Sequence, residues 1–398
     1  MKEWKTYKLS EIGQVIGGAT PSTKVASNYD GDIAWITPKD LSLLSGRYIY
    51  KGERSITEAG YKSCSCQMLP AGSILFSSRA PIGYIAIAGN DLCTNQGFKS
   101  VVPNPEIVNS HFLYYLLSYE KNRIAEMGSG TTFMEISGNV MKNIEVKLPH
   151  LSIQNKIAEI LTSLDEKIEN NQRINDNLEQ QLKLLYRSWF IENKHPDSKE
   201  VCLSEIIYFQ EGPGIRNWQY VEKDGIKFIN IRCIEGGDIN LTTANMISEE
   251  EANGKYAHFM LKPFDIIMSC SGTLGRYAIV RKEHLPLCLN TSVIRFSPNR
   301  SESDYSYIYG YLASEEFLNK QVEMACGSVQ ANFGPTHLKQ IKIIAPPIDY
   351  CKSYHTAAMP IISKILENRR EIQHLGKLRD TLLPKLMSGE LKINELDC

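Results

Sequence analysis

Between residues 151 and 192 the seam-forming side chains fall at alternating spacings of four and three. They are Ile157, Leu161, Leu164 and Ile168, then Asn171 and Asn175, then Leu178, Leu182, Leu185 and Trp189. This is the a/d seam of a heptad repeat, apolar except for two neighbouring asparagines at its centre. The stretch contains neither Gly nor Pro, so nothing in it breaks a helix of roughly 60 Å at about 1.5 Å per residue. A long core helix would also carry an apolar face. Asparagine buried in a seam costs stability and fixes register, which favours a specific partner helix.

The same chain supplies that partner. About 197 residues further on, Ala358, Ile361, Ile365, Asn368, Ile372, Leu375, Leu382 and Leu386 repeat the seam, with Asn368 at the position of Asn171. Arg379 stands where the seam calls for an apolar residue. Pro360 and Pro384 predict a second helix trimmed or kinked near its ends, and so shorter and less regular than the first.

The rest of the pattern is one unit written twice, with a period near 195 residues. YKLSEIGQVIGG (residues 7–18) matches VCLSEIIYFQEG (201–212), and the strand IAWITPKDL (33–41) matches IKFINIRCI (226–234). LPAGSILFSSRAPIGYIAIA (69–88) and LKPFDIIMSCSGTLGRYAIV (261–280) both read as strand, Gly-containing turn, strand. CTNQGFKSVVP (93–103) and CLNTSVIRFSP (288–298) each lead from a polar loop into a strand. Helical FLYYLL and YIYGYL follow, then a Gly/Ser/Thr-rich turn, a last strand such as IEVKLP (144–149), and the long helix. The polar, Pro-containing NKHPDSKE (193–200) marks the break between halves. Four segments result: two similar domains at 1–150 and 194–347, and long helices at 151–193 and 348–398.

Composition narrows the class. With 398 residues, 42% hydrophobic and 22% charged, this reads as an ordinary globular chain of two domains. It shows neither a membrane span nor a signal peptide, so the expectation is a cytoplasmic protein without a membrane partner. Ten Cys are scattered, and the closest pair, Cys64 and Cys66, has no second pair or His for zinc, so they read as reduced thiols. Net charge is −1, divided as +2, −1, −3 and +1 over residues 1–150, 151–195, 196–347 and 348–398. None of these is a basic DNA-binding domain of the usual kind, so nucleic acid would have to meet local loop clusters or a more basic partner.

No catalytic constellation and no metal site emerges. There is no Gly-rich phosphate loop, and no methyltransferase Asp/Asn-Pro-Pro-aromatic tetrad. The only Pro-Pro is Pro346–Pro347. A nuclease-like Asp-x-Lys at Asp165 and Lys167 falls on the long helix and reads as a solvated face. What stands out are matched loops of small polar residues carrying amide or basic side chains. In the first half they offer Thr20, Ser22 and Lys24; Lys39; Arg79; Asn95, Gln96 and Lys99; Thr131 and Thr132. In the second they offer Arg216 and Asn217; Arg232; Thr273 and Arg276; Asn290; Gln330 and Asn332. Arg, Lys, Asn and Gln read base edges, while Ser, Thr and backbone amides hold phosphates. Any one such loop is also an ordinary strand connection, but a full matched set that diverges between halves points to recognition.

The chain resembles the specificity subunits of type I restriction–modification systems over essentially its whole length. The resemblance is carried by the duplication, by the strand–Pro–helix junctions at Pro149 and Pro346–Pro347, and by NKIAEILTSLDEKIENNQ (155–172), YRSWF (186–190), GSVQANFGPTHL (327–338) and LRDTLLPKLMSGEL (378–391). It implies an α+β fold, in which two target-recognition domains are separated by two conserved helices in an antiparallel coiled coil. Each domain would read one half of an asymmetric bipartite site in double-stranded DNA. Two modification subunits would dock on the helices and two restriction subunits would join them. AdoMet, ATP and Mg would then belong to those partners, with no cofactor in this chain. Ser271 stands where the family often has the Arg seen at Arg79, and GSGTTFMEIS (128–137) is less typical than its counterpart. A non-DNA interaction scaffold and a stand-alone methyltransferase remain as alternatives from other classes.

Overall fold

In each half of the chain the first strand pairs with the last. The computed structural model describes residues 4–130, 134–325 and 333–391. Lys5–Lys8 runs antiparallel to Glu145–Leu148, and Lys199–Cys202 runs antiparallel to Lys342–Ala345. In Glu145–Leu148 the polar–apolar alternation buries Val146 and Leu148 and leaves Glu145 and Lys147 in water. Each closing strand leads into a long helix, Leu151–Arg187 after the first and Ile348–Met387 after the second. The chain folds as two compact units, residues 1–170 with 373–398, and residues 171–372. The division falls inside both long helices, so each unit owns part of each.

The first unit holds a five-stranded sheet in the order Gly13–Gly17, Lys99–Pro103, Ile74–Ser78, Ile82–Ala88, Tyr48–Ile49. A three-stranded sheet, Arg54–Ile56, Tyr29–Ile36, Cys93–Thr94, stands beside it in the same unit. The helix Ser110–Glu126 starts at Asn109, whose side-chain oxygen accepts from Phe112 N at 2.9 Å. Its Phe112, Leu113 and Leu116 share a core with Ile74, Phe76 and Val101 of the sheet and with Ile157, Leu161 and Leu386 of the long helices.

The second unit repeats the plan. Ile207–Glu211, Val293–Pro298, Ile266–Ser269 and Tyr277–Ile279 form an antiparallel sheet. Tyr220–Val221, Asn245–Ser248, Gly225–Ile229 and Leu287–Leu289 form a second one. In both units the second sheet contains one parallel pair, Trp35 beside Cys93 in the first and Phe228 beside Cys288 in the second. The proposed strand 33–41 ends early: the strand stops at Ile36, and Pro38–Ser42 is helical. Proline at the first helical position and a Thr37–Asp40 capping box favour that turn over more strand.

The long helices meet along the expected seam. Ile157, Leu161, Ile168, Asn171, Asn175 and Leu182 are buried, and Leu164, Leu178, Leu185 and Trp189 half-buried. On the second helix Ala358, Ile365, Asn368 and Leu386 are buried, and Ile361, Ile372, Leu375 and Leu382 half-buried. Within each unit the pairing is antiparallel: Asp165 meets Arg379 in one, and Asn171 meets Glu371 while Glu179 meets Arg369 in the other. The prolines do not break the second helix: it runs for 40 residues of α-helix, against 37 in the first, which continues as a five-residue π turn over Ser188–Glu192. Pro360 and Pro384 are exposed, as are Thr356 and Asp380, whose carbonyls lose their helical donors and can turn to water.

Asp165 is not on a solvated face. It is buried, accepts Tyr115 OH at 2.6 Å and Arg379 Nη1 at 2.7 Å, and lies 3.9 Å from Arg47 Nε. Arg47 reaches from its own loop to fork onto Glu169, at 3.0 and 3.2 Å. Burial opposes the Arg47 charge, but the Glu169 hydrogen bond and the surrounding carboxylates outweigh it and hold its pKa above the ordinary value. A buried pair broken on one side costs about 3–5 kcal/mol, because the survivor stays buried and uncompensated. Asp165→Ala should therefore destabilise the first unit by roughly that amount. Arg379→Ala should cost less, since that side chain is 32% exposed and Asp165 keeps Tyr115. Hydrogen exchange over residues 151–170 checks the order, and equal small effects would contradict it.

Candidate nucleic-acid interface

In the first unit a chain of main-chain bonds draws the polar loops to one end of the sheets. Where the parallel pair ends, Asn95 N donates to Ile36 O at 2.9 Å. The Asn95 side-chain oxygen accepts from Gly97 N at 2.8 Å, a tight turn of the Asx type. Gly97 O accepts from Ser78 N at 2.7 Å, and Ser78 O accepts from Ile136 N at 3.0 Å. Ala19 N donates to Thr94 O at 3.0 Å. Beside it Gly18 packs so closely that a Cβ would collide with the Thr94 and Asn95 carbonyls. In the hairpin, Ser77 Oγ donates to Pro81 O at 2.7 Å and accepts from Tyr84 N at 2.8 Å.

The second unit reproduces this frame except at Pro213, which stands where Ala19 donates and has no N–H. Asn290 N donates to Ile229 O at 3.1 Å, and the Asn290 side-chain oxygen accepts from Ser292 N at 2.9 Å. Ser292 O accepts from Cys270 N at 3.1 Å, and Cys270 O accepts from Phe333 N at 2.8 Å. Ser269 Oγ donates to Thr273 O at 2.6 Å and accepts from Arg276 N at 3.2 Å. Gly212 abuts Leu289 and Asn290 as Gly18 abuts Thr94 and Asn95. The side chains mounted on the frame differ: Ser271 takes the place of Arg79, Arg276 that of Tyr84, and Thr291 that of Gln96.

The frame sorts the expected contact residues. Thr20 donates its hydroxyl to Gln96 Oε1, joining two loops. Arg79 Nη1 lies 3.4 Å from one oxygen of Glu135 and Lys99 Nζ lies 3.5 Å from the other, so a single carboxylate holds two cations. Lys39 is exposed and paired with Glu53 at 2.6 Å. The hydrogen bond to Glu53, then its charge, raise the lysine's pKa. Ser22, Lys24, Arg216, Asn217, Arg232, Thr273 and Arg276 are exposed on their loops. Asn95 and Asn290 are half-buried with their side-chain oxygens already used, which leaves their amide N–H groups for a ligand. Thr131, Thr132, Gln330 and Asn332 lie outside the described residues.

Two features were missed in the sequence. Glu135 is the acidic residue closing an otherwise uncharged loop, and its pattern alone does not show which cations it meets. Cys93 joins Cys66 in a small core with Tyr29, Trp35 and Ile56, so the thiols are less scattered than their spacing suggests. A hydrogen bond from Cys93 favours the Cys66 thiolate, pulling its pKa below the usual value despite burial. Among the described residues no His/Cys/Asp/Glu group is arranged to hold a metal, and no helix is long and apolar enough to cross a membrane.

Two copies of one hydrogen-bonded frame, each presenting a different set of polar side chains on loops, define a tandem recognition protein. Residues 1–180 and 196–369 match the family described as type I restriction modification DNA specificity domain. The specificity subunit of type I restriction enzyme MjaIX from Methanocaldococcus jannaschii is 34% identical over 417 residues, covering 99% of this chain and 95% of that one. The HindI specificity subunit of Haemophilus influenzae is 22% identical, over 98% of this chain and all (100%) of that one. The crystal structure of a type I system S subunit from M. genitalium shares the fold, with a TM-score of 0.60 at 17% identity over 97% of this chain and 96% of that one. The chain belongs to the type I restriction–modification specificity family, as a specificity subunit and not the enzyme itself.

The Glu135 clamp generates a prediction. Glu135→Gln removes the charge that holds Arg79 and Lys99, so DNA binding should tighten on all sequences. The slope of log K against log salt should steepen by about one. Arg79→Ala should instead relax discrimination at one or two base pairs, at a cost of about 1–3 kcal/mol. Salt titrations on specific and scrambled duplexes separate the two effects, and an unchanged slope for Glu135→Gln would show that the clamp is irrelevant to DNA.

Proposed function

We propose that each unit reads one half of an asymmetric, bipartite site in double-stranded DNA. The long helices set the unread spacer between the halves and offer the docking surface for two modification subunits. The observation that carries this reading is the duplicated frame with unlike side chains. A scaffold that keeps all but one of these bonds, with divergence concentrated in what it presents, suits one kind of task performed on two different targets. Two restriction subunits complete the assembly. AdoMet, ATP and Mg act on those partners. Their surfaces also supply positive potential that a chain of net charge −1 lacks. The reading predicts modularity. Exchanging residues 1–150 for the equivalent domain of a relative should change one half-site and leave the other untouched. Mapping methylated adenines in a host carrying the hybrid checks this, and alteration of both halves would refute it.

The helices give a second test. One heptad inserted near Asn171 and one near Asn368 keeps both seams in phase and lengthens each helix by about 10 Å. DNA rises about 3.4 Å per base pair, so the preferred spacer should grow by roughly three base pairs. Over that length the duplex turns by about a third of a revolution at about 10 base pairs per turn, whereas the seam drifts only about 20° per heptad. The expected outcome is a longer spacer with unchanged half-sites, or lost binding where twisting the DNA costs too much. A folded variant that binds as before at the original spacer would show that the helices do not set it.

A further inference from the structure

The most exposed large apolar side chain of the second unit lies outside its cores. Trp218 is 81% exposed, the highest value for any large hydrophobic residue among those described. An indole held in water forgoes the burial that a core would give it. The residue is held outward by its neighbours. It sits in the three-residue 3-10 turn Asn217–Gln219. Arg216 N donates to the Gln219 side-chain oxygen at 2.9 Å, and Gln219 Nε2 donates to Glu251 Oε1 at 3.0 Å and to Tyr256 OH at 3.2 Å. Ile215 and Tyr220, on either side, pack into the core around Phe228 and Tyr256. The chain is thus pinned before and after Trp218 while the indole points away.

The fold does not require an aromatic here. The first unit has a 3-10 turn, Ala26–Asn28, directly before the strand Tyr29–Ile36, and its middle residue is Ser27, whereas the turn of the second unit leads into the short strand Tyr220–Val221. The turn of the second unit follows directly on the loop that Gly212 docks against Leu289 and Asn290, and Trp218 is flanked by the exposed donors Arg216 and Asn217. An aromatic ring beside exposed guanidinium and amide groups, on a loop of the recognition frame, matches a nucleobase more closely than a protein surface.

We propose that Trp218 is a base-contacting residue of the second unit, its indole lying against a nucleobase of that unit's half-site. This rests on the DNA-reading function argued above. Indole against base is a contact that tolerates sequence, worth a fold-change and little selectivity. Arg216 and Asn217 beside it supply the directional hydrogen bonds.

The test uses the full chain assembled with its modification subunits. The duplex carries the site found by methylation mapping, with 5-iodopyrimidines placed singly through the second unit's half-site. Irradiation should crosslink one of these positions to Trp218, identified by mass spectrometry. Trp218→Ala should remove that crosslink and weaken site binding by roughly tenfold to a hundredfold, while Trp218→Phe retains most of the affinity. Absence of any crosslink to Trp218, with undiminished affinity in Trp218→Ala, would overturn the proposal. So would a Trp218→Ala chain that no longer assembles with the modification subunits, which would assign the indole to a protein contact. If the unsubstituted complex does not distinguish the mapped site from a scrambled duplex, the DNA-reading function itself fails and the proposal falls with it.

Discussion

In each unit the structure depends on a helix–helix seam in which apolar side chains are joined by buried polar partners. In the first unit the Asp165 carboxylate joins Arg379 of the opposing helix to Tyr115 of the domain helix. In the second, Asn368 Nδ2 donates to Asn175 Oδ1 at 2.9 Å, and Arg369 reaches Glu179 at 2.5 Å. A purely apolar seam would tolerate sliding by a heptad. Buried polar partners do not, because each slip leaves a desolvated amide or charge without its mate. Within each unit the register of the two helices is therefore fixed.

The same polar contacts fasten each domain to its helices. Arg47 leaves its loop to grip Glu169, and in the second unit the loop at Gly237 lies so close to Arg369 that a Cβ would strike the guanidinium. Aromatic packing adds to this. Tyr186 and Phe190 of the first helix pack against Tyr307, and Phe190 against Tyr354, with centroids 4.6–5.9 Å apart. Tyr186 and Phe190 are one turn apart on the first helix and are both buried. A domain held at several points along a long helix keeps its loops in a fixed orientation.

Within each domain, holding the fold and presenting side chains are tasks given to different atoms. Main-chain groups, a serine hydroxyl and an asparagine side-chain oxygen build the frame, and these are the atoms found in both units. The exposed ends of Arg79, Gln96 and Lys99, or of Arg216, Arg276 and Thr291, take no part in the frame bonds. Such loops can change their side chains without losing their geometry, and this separation explains why two halves of low identity superpose in their hydrogen bonding. The carboxylate of Glu135 also moderates the local charge, because a cation paired before binding adds less to non-specific attraction.

Periodicity, duplication and loop chemistry were legible because they are local. Alternation along Glu145–Leu148, heptad spacing along residues 157–189, and Gly or Asn at turns are each decided by neighbours a few residues away. They determined the two long helices, the repeated domain plan and the loops that carry the candidate residues. The tertiary structure alone decided which charges meet. Asp165 looked like a solvated residue until Arg379, 214 positions away, was brought to 2.7 Å. Asn95 and Asn290 looked like readers, yet their oxygens build turns, and Glu135 gained its role only when two strands delivered Arg79 and Lys99 to it. The second helix continued through two prolines because their rings and unpaired carbonyls lie on an exposed face, a matter of packing and not of sequence. Local spacing encodes which face of an element is apolar; the identity of a buried partner depends on which distant segments that face brings together.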